Sequence, residues 1–483
     1  MINKKNNDKI IFGICIILVV SLILFSYIKV TLEDKYFPYW DSYTIKTFSN
    51  DIESSPFKIF SDPLFFYNTN IFNKITGIDF YHIIRYSNLF FIILLFSVLF
   101  MLFNDSLEKK DKTGKLFILL SLIYFFSCFY SYSRFSITMR ENLVLSLGLI
   151  VIFLLKKFDE KEKPNYIDII PLSILYAYVL FASVQVFLII SGVVFFYTIY
   201  CFVKKRNRLK TLSFILLTAI IALPSVIQLC KGIIYQLKYN SPIVKASGFS
   251  ASYNLVNLTH FNPPFDALLL IGLLWFFVDL KKEGNFEKYK FYIFFTASVL
   301  IGFLIAYIPS LTVKQNRFLI YIYIILALSF LFLLIKVKEK KLGKFIILLM
   351  IAMLLITTIP RNLEYKIYRP LNEKDISYVS SQISTFDKYD ELYCGSSAKT
   401  ILDYLDYNKC IPFEDNAGKI SNSSILKGPI VLSGEDYELY EKRREDIFEK
   451  FNKIKDKNDY IPNKEMYTYI VMPAENKTLI DAA

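Results

Sequence analysis

The sequence predicts a helical, polytopic membrane bundle of about eleven transmembrane helices, followed by a small C-terminal α/β domain outside the membrane. Three observations predict it. Hydrophobic residues fill 54% of the 483 positions and mean hydropathy is +0.40, both too high for a water-soluble globular chain. The apolar residues come in blocks of membrane-crossing length: a helix rises about 1.5 Å per residue, so roughly 20 apolar residues cross a hydrocarbon core about 30 Å thick. The basic residues, finally, gather in every second gap between blocks. That placement accounts for the formal charge of +13 by orienting spans, and it excludes a nucleic-acid partner. The 46 Phe and 35 Tyr suit lipid-facing and interfacial surfaces.

Met1–Lys9 is polar and basic, and Ile10 to Val30 forms a first span with no small-residue cleavage site after it, hence a retained helix. A polar and aromatic segment, residues 31–88, leads to a second span near 89–103. Further spans fall near 116–132, 142–155, 166–183, 186–203, 212–230, 266–280, 291–309, 318–335 and 345–359. Block 166–203 divides into two short spans meeting near Ser183–Gln185; a single kinked helix there would reverse every later loop. Lysine clusters around Lys4, Lys109, Lys156, Lys204, Lys281 and Lys336 all fall on one side, so the positive-inside rule puts the N-terminus in the cytoplasm of a plasma membrane. Residues 31–88, 133–141, 231–264, 310–317 and everything after Pro360 then lie outside.

Two domains result: a transmembrane domain over 1–360, and an extracytoplasmic domain over 361–483. In the second, Glu391–Cys394, Cys410–Phe413, Pro429–Ser433 and Thr468–Met472 read as strands, with helical patterns at Ala398–Tyr407 and Asp436–Ile454 between them. Cys394 and Cys410 flank the first of those helices, either as a disulfide or as two buried thiols. The sequons at Asn257, Asn422 and Asn476 all fall on the outer side. No P-loop, dinucleotide fingerprint, GxSxG or HExxH occurs, and the six cysteines contain no CxxC. Mid-span charges are scarce, which weighs against an ion-coupled transporter.

The chemistry-bearing residues lie in the outer segments. Asp41 sits among aromatics in Tyr36-Phe-Pro-Tyr-Trp-Asp-Ser-Tyr; Ser61-Asp-Pro-Leu-Phe-Phe-Tyr and Phe72-Asn-Lys-Ile-Thr-Gly-Ile-Asp follow, the latter leading through Arg85 into the second span. Tyr130–Asn142 carries Arg134, Arg140 and Glu141, and Lys314-Gln-Asn-Arg-Phe opens a late span. A first span, an outer loop with an early acid, and these segments together resemble GT-C glycosyltransferases, of the mannosyltransferase and oligosaccharyltransferase kind. These multi-span enzymes take a sugar from a polyprenyl-phosphate carrier on the outer side of the membrane. The resemblance extends through most of the chain, including the terminal α/β domain.

The resemblance implies that Asp41 is the general base that takes a proton from the acceptor, and that Arg317 steadies charge on the departing phosphate. Gln315, Arg140, Glu141 and Gln185 complete a substrate-binding set. Each has a plainer reading as well: Arg317 snorkelling to headgroups, Glu141 at a helix N-terminus beside Arg140, and Gln185 as a structural amide. His82 and His260 receive no catalytic role. The family's first loop commonly carries paired acids, whereas this chain has one in Trp40-Asp41-Ser42; a divalent cation, where one is used, would rest on Asp41 and Glu141. The implied partners are a polyprenyl-phosphate sugar donor, a glycan, lipid or protein acceptor, and membrane lipid. Two other functions remain open: a polysaccharide polymerase or ligase, and a non-catalytic flippase of lipid-linked saccharides.

Overall fold

The computed structural model describes residues 63–78, 80–105, 112–127, 140–161, 164–239, 263–279, 285–305, 319–338 and 343–363, strand residues 392–394, 410–412, 430–433 and 468–471, and scattered single positions. The predicted first span, Asp41, Arg134, His260, Gln315, Arg317, the three sequons and the helix expected at 436–454 lie outside the described residues.

The helices are α1 (Pro63–Thr76), α2 (Phe80–Asp105), α3 (Lys112–Ser127), α4 (Arg140–Glu160), α5 (Ile169–Ala182), α6 (Val184–Val203), α7 (Arg208–Tyr239), α8 (Pro263–Asp279), α9 (Asn285–Ile305), α10 (Leu319–Lys338) and α11 (Gly343–Leu363). Each predicted span from the second onward coincides with one of α2 to α11. Among the described residues, three stretches are long and apolar enough to cross a membrane: Tyr81–Asp105, Val186–Val203 and Ile320–Lys338. Shorter apolar helices occupy Gly114–Phe126, Tyr166–Ala182 and Leu269–Val278.

The structure differs from the sequence reading in three places. Residues 63–76, read as loop, form α1. This helix stops because Gly77 takes φ +64, its N–H bonding Asn73 O at 2.8 Å while Asn73 Nδ2 donates to Ile78 O at 2.7 Å. That is a glycine C-cap, so Thr-Gly-Ile in the family-like segment acts as a helix stop. Second, α2 begins at Phe80 rather than Leu89, because His82, Arg85 and Asn88 lower the local hydropathy without breaking the helix. Third, α7 runs on to Tyr239 through Pro224, a residue that leaves one backbone carbonyl without its intrahelical bond.

The bundle is held by aromatic and small-residue contacts. α6 lies along α9 and α8 along α10, while α4 packs on α2, α5 and α6, and α3 on α10. Phe276 and Phe332 join α8 to α10 with ring centroids 4.6 Å apart, and Tyr124 meets Phe330 across α3 and α10 at 5.9 Å. Where α6 crosses α9, Gly192 leaves no room for a side chain, since a Cβ there would stand 2.1 Å from Ser298 Oγ. The Ser298 hydroxyl itself bonds Ile189 O at 2.5 Å. Large apolar side chains also face outward along whole helices, among them Leu188, Phe195 and Ile199 on α6, and Leu216, Ile220 and Leu223 on α7. Exposed runs of this extent belong against lipid rather than water.

Block 166–203 is two helices. Ser183 is extended at φ −163 and caps α6 by accepting from Val186 N. The chain then folds back, so that Tyr176 stacks on Phe187 with centroids 5.0 Å apart and its hydroxyl meets Ser191 Oγ at 2.6 Å. The hairpin keeps the alternation of later loops intact.

The helices make one compact unit, apart from the end of α7, and the strands belong to a second. The strands β1 (Leu392–Cys394), β2 (Cys410–Pro412), β3 (Ile430–Ser433) and β4 (Thr468–Val471) fall on the four predicted runs. They form one sheet in the order β2-β1-β3-β4, with β1 parallel to both β2 and β3, and β4 antiparallel to β3. Leu392, not Cys394, pairs with Cys410. Two residues of strand rise and one strand spacing put the two cysteine Cα atoms about 8 Å apart, beyond the reach of a disulfide. This register favours two thiols.

Candidate functional site

Side-chain contacts define the two ends of the helical bundle. At one end, Asp105 closing α2 meets Lys156 and Lys157 of α4 at 2.5 and 2.6 Å. Next to them, Lys290 of α9 meets Asp159 of α4 at 2.5 Å, with both side chains buried. Tyr197 of α6 donates to Asp159 at 3.3 Å, and the Arg206 guanidinium donates to the Asp159 carbonyl. Tyr200 donates to Glu287 at 2.6 Å and lies under Lys290, 4.4 Å from its ring centroid. Burial alone would push the Lys290 ammonium down, but hydrogen bonds to Asp159 and Glu287 outweigh it and raise the group above its ordinary value. Burial likewise pushes Glu287 up, while hydrogen bonds from Tyr200 and Lys290 bring it below the usual carboxylate range. α2 and α9 are thus clasped to α4 by ion pairs, and α6 joins them through the hydroxyls of Tyr197 and Tyr200.

The same end collects the lysine clusters of several loops. Tyr289 packs on Phe332 of α10 with centroids 5.0 Å apart, which brings the Lys336 end of α10 to the end where Lys156, Arg206 and Lys290 already lie. The alternation read from the sequence therefore has a physical counterpart: these cations share one end of the bundle.

α2, α4, α6, α8 and α10 all start at the opposite end. Just inside it, Asn142 of α4 donates to Asn88 of α2 at 3.3 Å, with both residues buried. Seventeen residues of helix separate Asn142 from Asp159, about 25 Å. Arg140 and Glu141 are the first residues of α4, and Gln185 follows the Ser183 cap in the first turn of α6. Their backbones therefore share this end, and α10 begins there at Leu319, two positions after Arg317 in the sequence. Three of the six proposed site residues are thus placed at one end by their helices. Asp41, Gln315 and Arg317 lie outside the described residues. Among the described residues, no group of three His, Cys, Asp or Glu side chains is arranged to hold a metal ion.

This architecture is shared with solved structures of ArnT and of an archaeal oligosaccharyltransferase. ArnT from Cupriavidus metallidurans, bound to undecaprenyl phosphate, matches it with TM-score 0.53 over 88% of this chain and 94% of that chain, at 10% identity. The archaeal oligosaccharyltransferase AglB from Archaeoglobus fulgidus, in complex with an inhibitory peptide and a dolichol-phosphate, matches with TM-score 0.52 over 89% and 70%, at 12% identity. The Archaeoglobus fulgidus oligosaccharyltransferase in complex with Zn and sulfate gives 0.50 over 88% and 68%, at 13% identity. No protein-family model and no curated protein matches the chain by sequence. What is shared at these identities is the fold, and it agrees with the resemblance read from the outer-loop segments.

The clasp at the lysine-rich end was not foreseen. Asp159 and Lys290 each sit in a cluster that reads as a solvated cytoplasmic loop. The available signal was an acid beside a lysine run at a helix end, with Tyr197 and Tyr200 one helix away.

Proposed function

We propose that the chain is a membrane glycosyltransferase that moves a sugar from a polyprenyl-phosphate-linked donor to an acceptor on the outer side of a plasma membrane. The observation that carries this reading is the fold shared along nearly the whole length of ArnT, which was solved with undecaprenyl phosphate bound. The lysine-rich end then faces the cytoplasm. The end where α4, α6 and α10 begin faces outward, together with residues 361–483.

In this reading the Asp41 carboxylate takes the proton of the acceptor hydroxyl as its oxygen attacks the anomeric carbon. The bond from that carbon to the carrier phosphate breaks, and its electron pair leaves with the phosphate. Arg317 stabilises the charge gathered there, with Gln315, Arg140, Glu141 and Gln185 holding donor and acceptor. Glu141 is the second acid if a divalent cation is used with Asp41, and chelation of the membranes would then abolish transfer.

The test uses membranes bearing wild type or Asp41→Asn, incubated with radiolabelled polyprenyl-phosphate sugars and a cell-envelope acceptor fraction. The variant inserts normally and loses transfer by about 10²- to 10⁴-fold. Full transfer by Asp41→Asn removes the base, and no transfer by wild type from any carrier moves the assignment to a flippase of lipid-linked saccharides.

A further inference from the structure

We propose that the corner joining α6 to α7 is a docking site for anionic phospholipid headgroups, built at the cost of an unfavourable backbone. The inference rests on the membrane reading above.

The corner, Lys204-Lys205-Arg206-Asn207-Arg208, is a tight turn. Lys204, Lys205 and Arg206 return their N–H groups to the carbonyls of Tyr200, Phe202 and Cys201, closing the end of α6 in the manner of a Schellman motif. That closure forces Lys205 to φ 55 and is followed by Asn207 at φ 52. Asparagine tolerates the left-handed region, but at the first of these positions glycine is the usual residue, because a Cβ is disfavoured there. A lysine held at such a position calls for a reason in its charge.

The other cations of the corner are used by the protein. Arg206 is bound to Asp159 O, Arg208 lies over the Phe202 ring, and Lys210 lies over Tyr166 and donates to Pro164 O. Lys204 and Lys205 are exposed; Lys204 also helps to keep the nearby Glu287 carboxylate ionised, whereas Lys205 sits at the turn itself. Arg208 also donates to Phe202 O, and Asn207 Nδ2 and Arg208 Nε, unpartnered among the described residues, are buried, so the outward charge of the turn is that of the two lysines.

The surroundings identify the occupant. Val203, Leu209 and Ile167 are 72%, 73% and 76% exposed, and Tyr166, Phe202 and Leu212 are exposed beside them. This apolar rim continues the outward stripe Leu188, Phe195 and Ile199 that descends α6. Two outward lysines at the foot of a lipid-facing stripe, ringed by apolar side chains, match the boundary between phosphate headgroups and acyl chains. A soluble anion would have no use for the rim.

The test measures binding of fluorescent phosphatidylglycerol and phosphatidylcholine to the purified full chain in neutral detergent. Wild type prefers phosphatidylglycerol. Lys204→Gln with Lys205→Gln weakens that lipid by about fivefold for each lysine removed and leaves phosphatidylcholine unchanged, while Lys115→Gln, at another exposed lysine of the same bundle end, changes neither. Lys205→Gly separates charge from folding, since it relieves the backbone and raises Tm while weakening phosphatidylglycerol as a single lysine loss does. Equal binding of the two lipids by wild type, or an unchanged phosphatidylglycerol affinity in the double variant, overturns the proposal. Displacement of the lipid by inorganic phosphate overturns it too, in favour of a soluble anion. The readout involves no sugar transfer, so a failed transferase assay with intact lipid preference leaves this site standing and removes only the proposed reaction.

Discussion

The two ends of the helical bundle use polar residues in opposite ways. At the lysine-rich end, Asp105, Asp159 and Glu287 each meet lysines at 2.5 to 2.9 Å, and Tyr197 and Tyr200 donate to Asp159 and Glu287. About 25 Å away, the other end is pinned by a neutral amide pair, Asn88 with Asn142, and by the Ser183 cap. The first end spends its charges on holding four helices in register. The second offers helix starts to which the proposed substrate-binding residues are attached. Under the proposed function, stability and chemistry fall to different ends, and substitutions at each should separate them.

The largest effect is expected at the clasp. Asp159→Asn removes the buried partner of Lys290 and leaves only the more exposed Glu287 at 2.9 Å; it should cost up to about 3–5 kcal/mol of stability, read as a fall in Tm of the purified chain, and the activity of the protein that remains folded should be unchanged. A second change, Lys290→Met, should recover much of the loss, and failure to recover would show that packing rather than charge carries the site. In the proposed function, Arg317→Gln should lower transfer by about 10²- to 10³-fold, with stability within about 0.5 kcal/mol of wild type. A parallel loss of Tm would make Arg317 a structural residue and erase the distinction between the ends. Smallest is the middle of the bundle: Gly192→Ala pushes a methyl into Ser298 and should cost about 1–3 kcal/mol. Pairing it with Ser298→Gly should restore Tm, since the crowding then disappears.

Much of this fold was legible beforehand because membrane insertion is governed by local composition. Runs of Leu, Ile and Phe announced α3, α6 and α10, and the lysine clusters announced which helix ends would lie together. Ser183 marked the break of block 166–203, because a hydroxyl residue between two apolar runs is a natural helix cap. The four strands were legible as short β-branched runs between polar segments. The missed elements had weaker local signals: α1 and the first turns of α2 are amphipathic and charged, so hydropathy passes over them. Of the site, the helix starts carrying Arg140, Glu141 and Gln185 were legible through loop alternation.

Composition and charge order by themselves determined that this chain forms a bundle, how many apolar blocks it has and which gaps belong together, because the cost of burying charge in hydrocarbon acts on each segment separately. Tertiary structure alone decided that Asp159 answers Lys290, that Gly192 admits Ser298, that Lys205 is turned outward at a strained corner, and that Cys394 and Cys410 stand out of register. Each of those is a matter of which distant segments come within a few ångströms of each other, and a distance between segments is written in no local stretch of sequence.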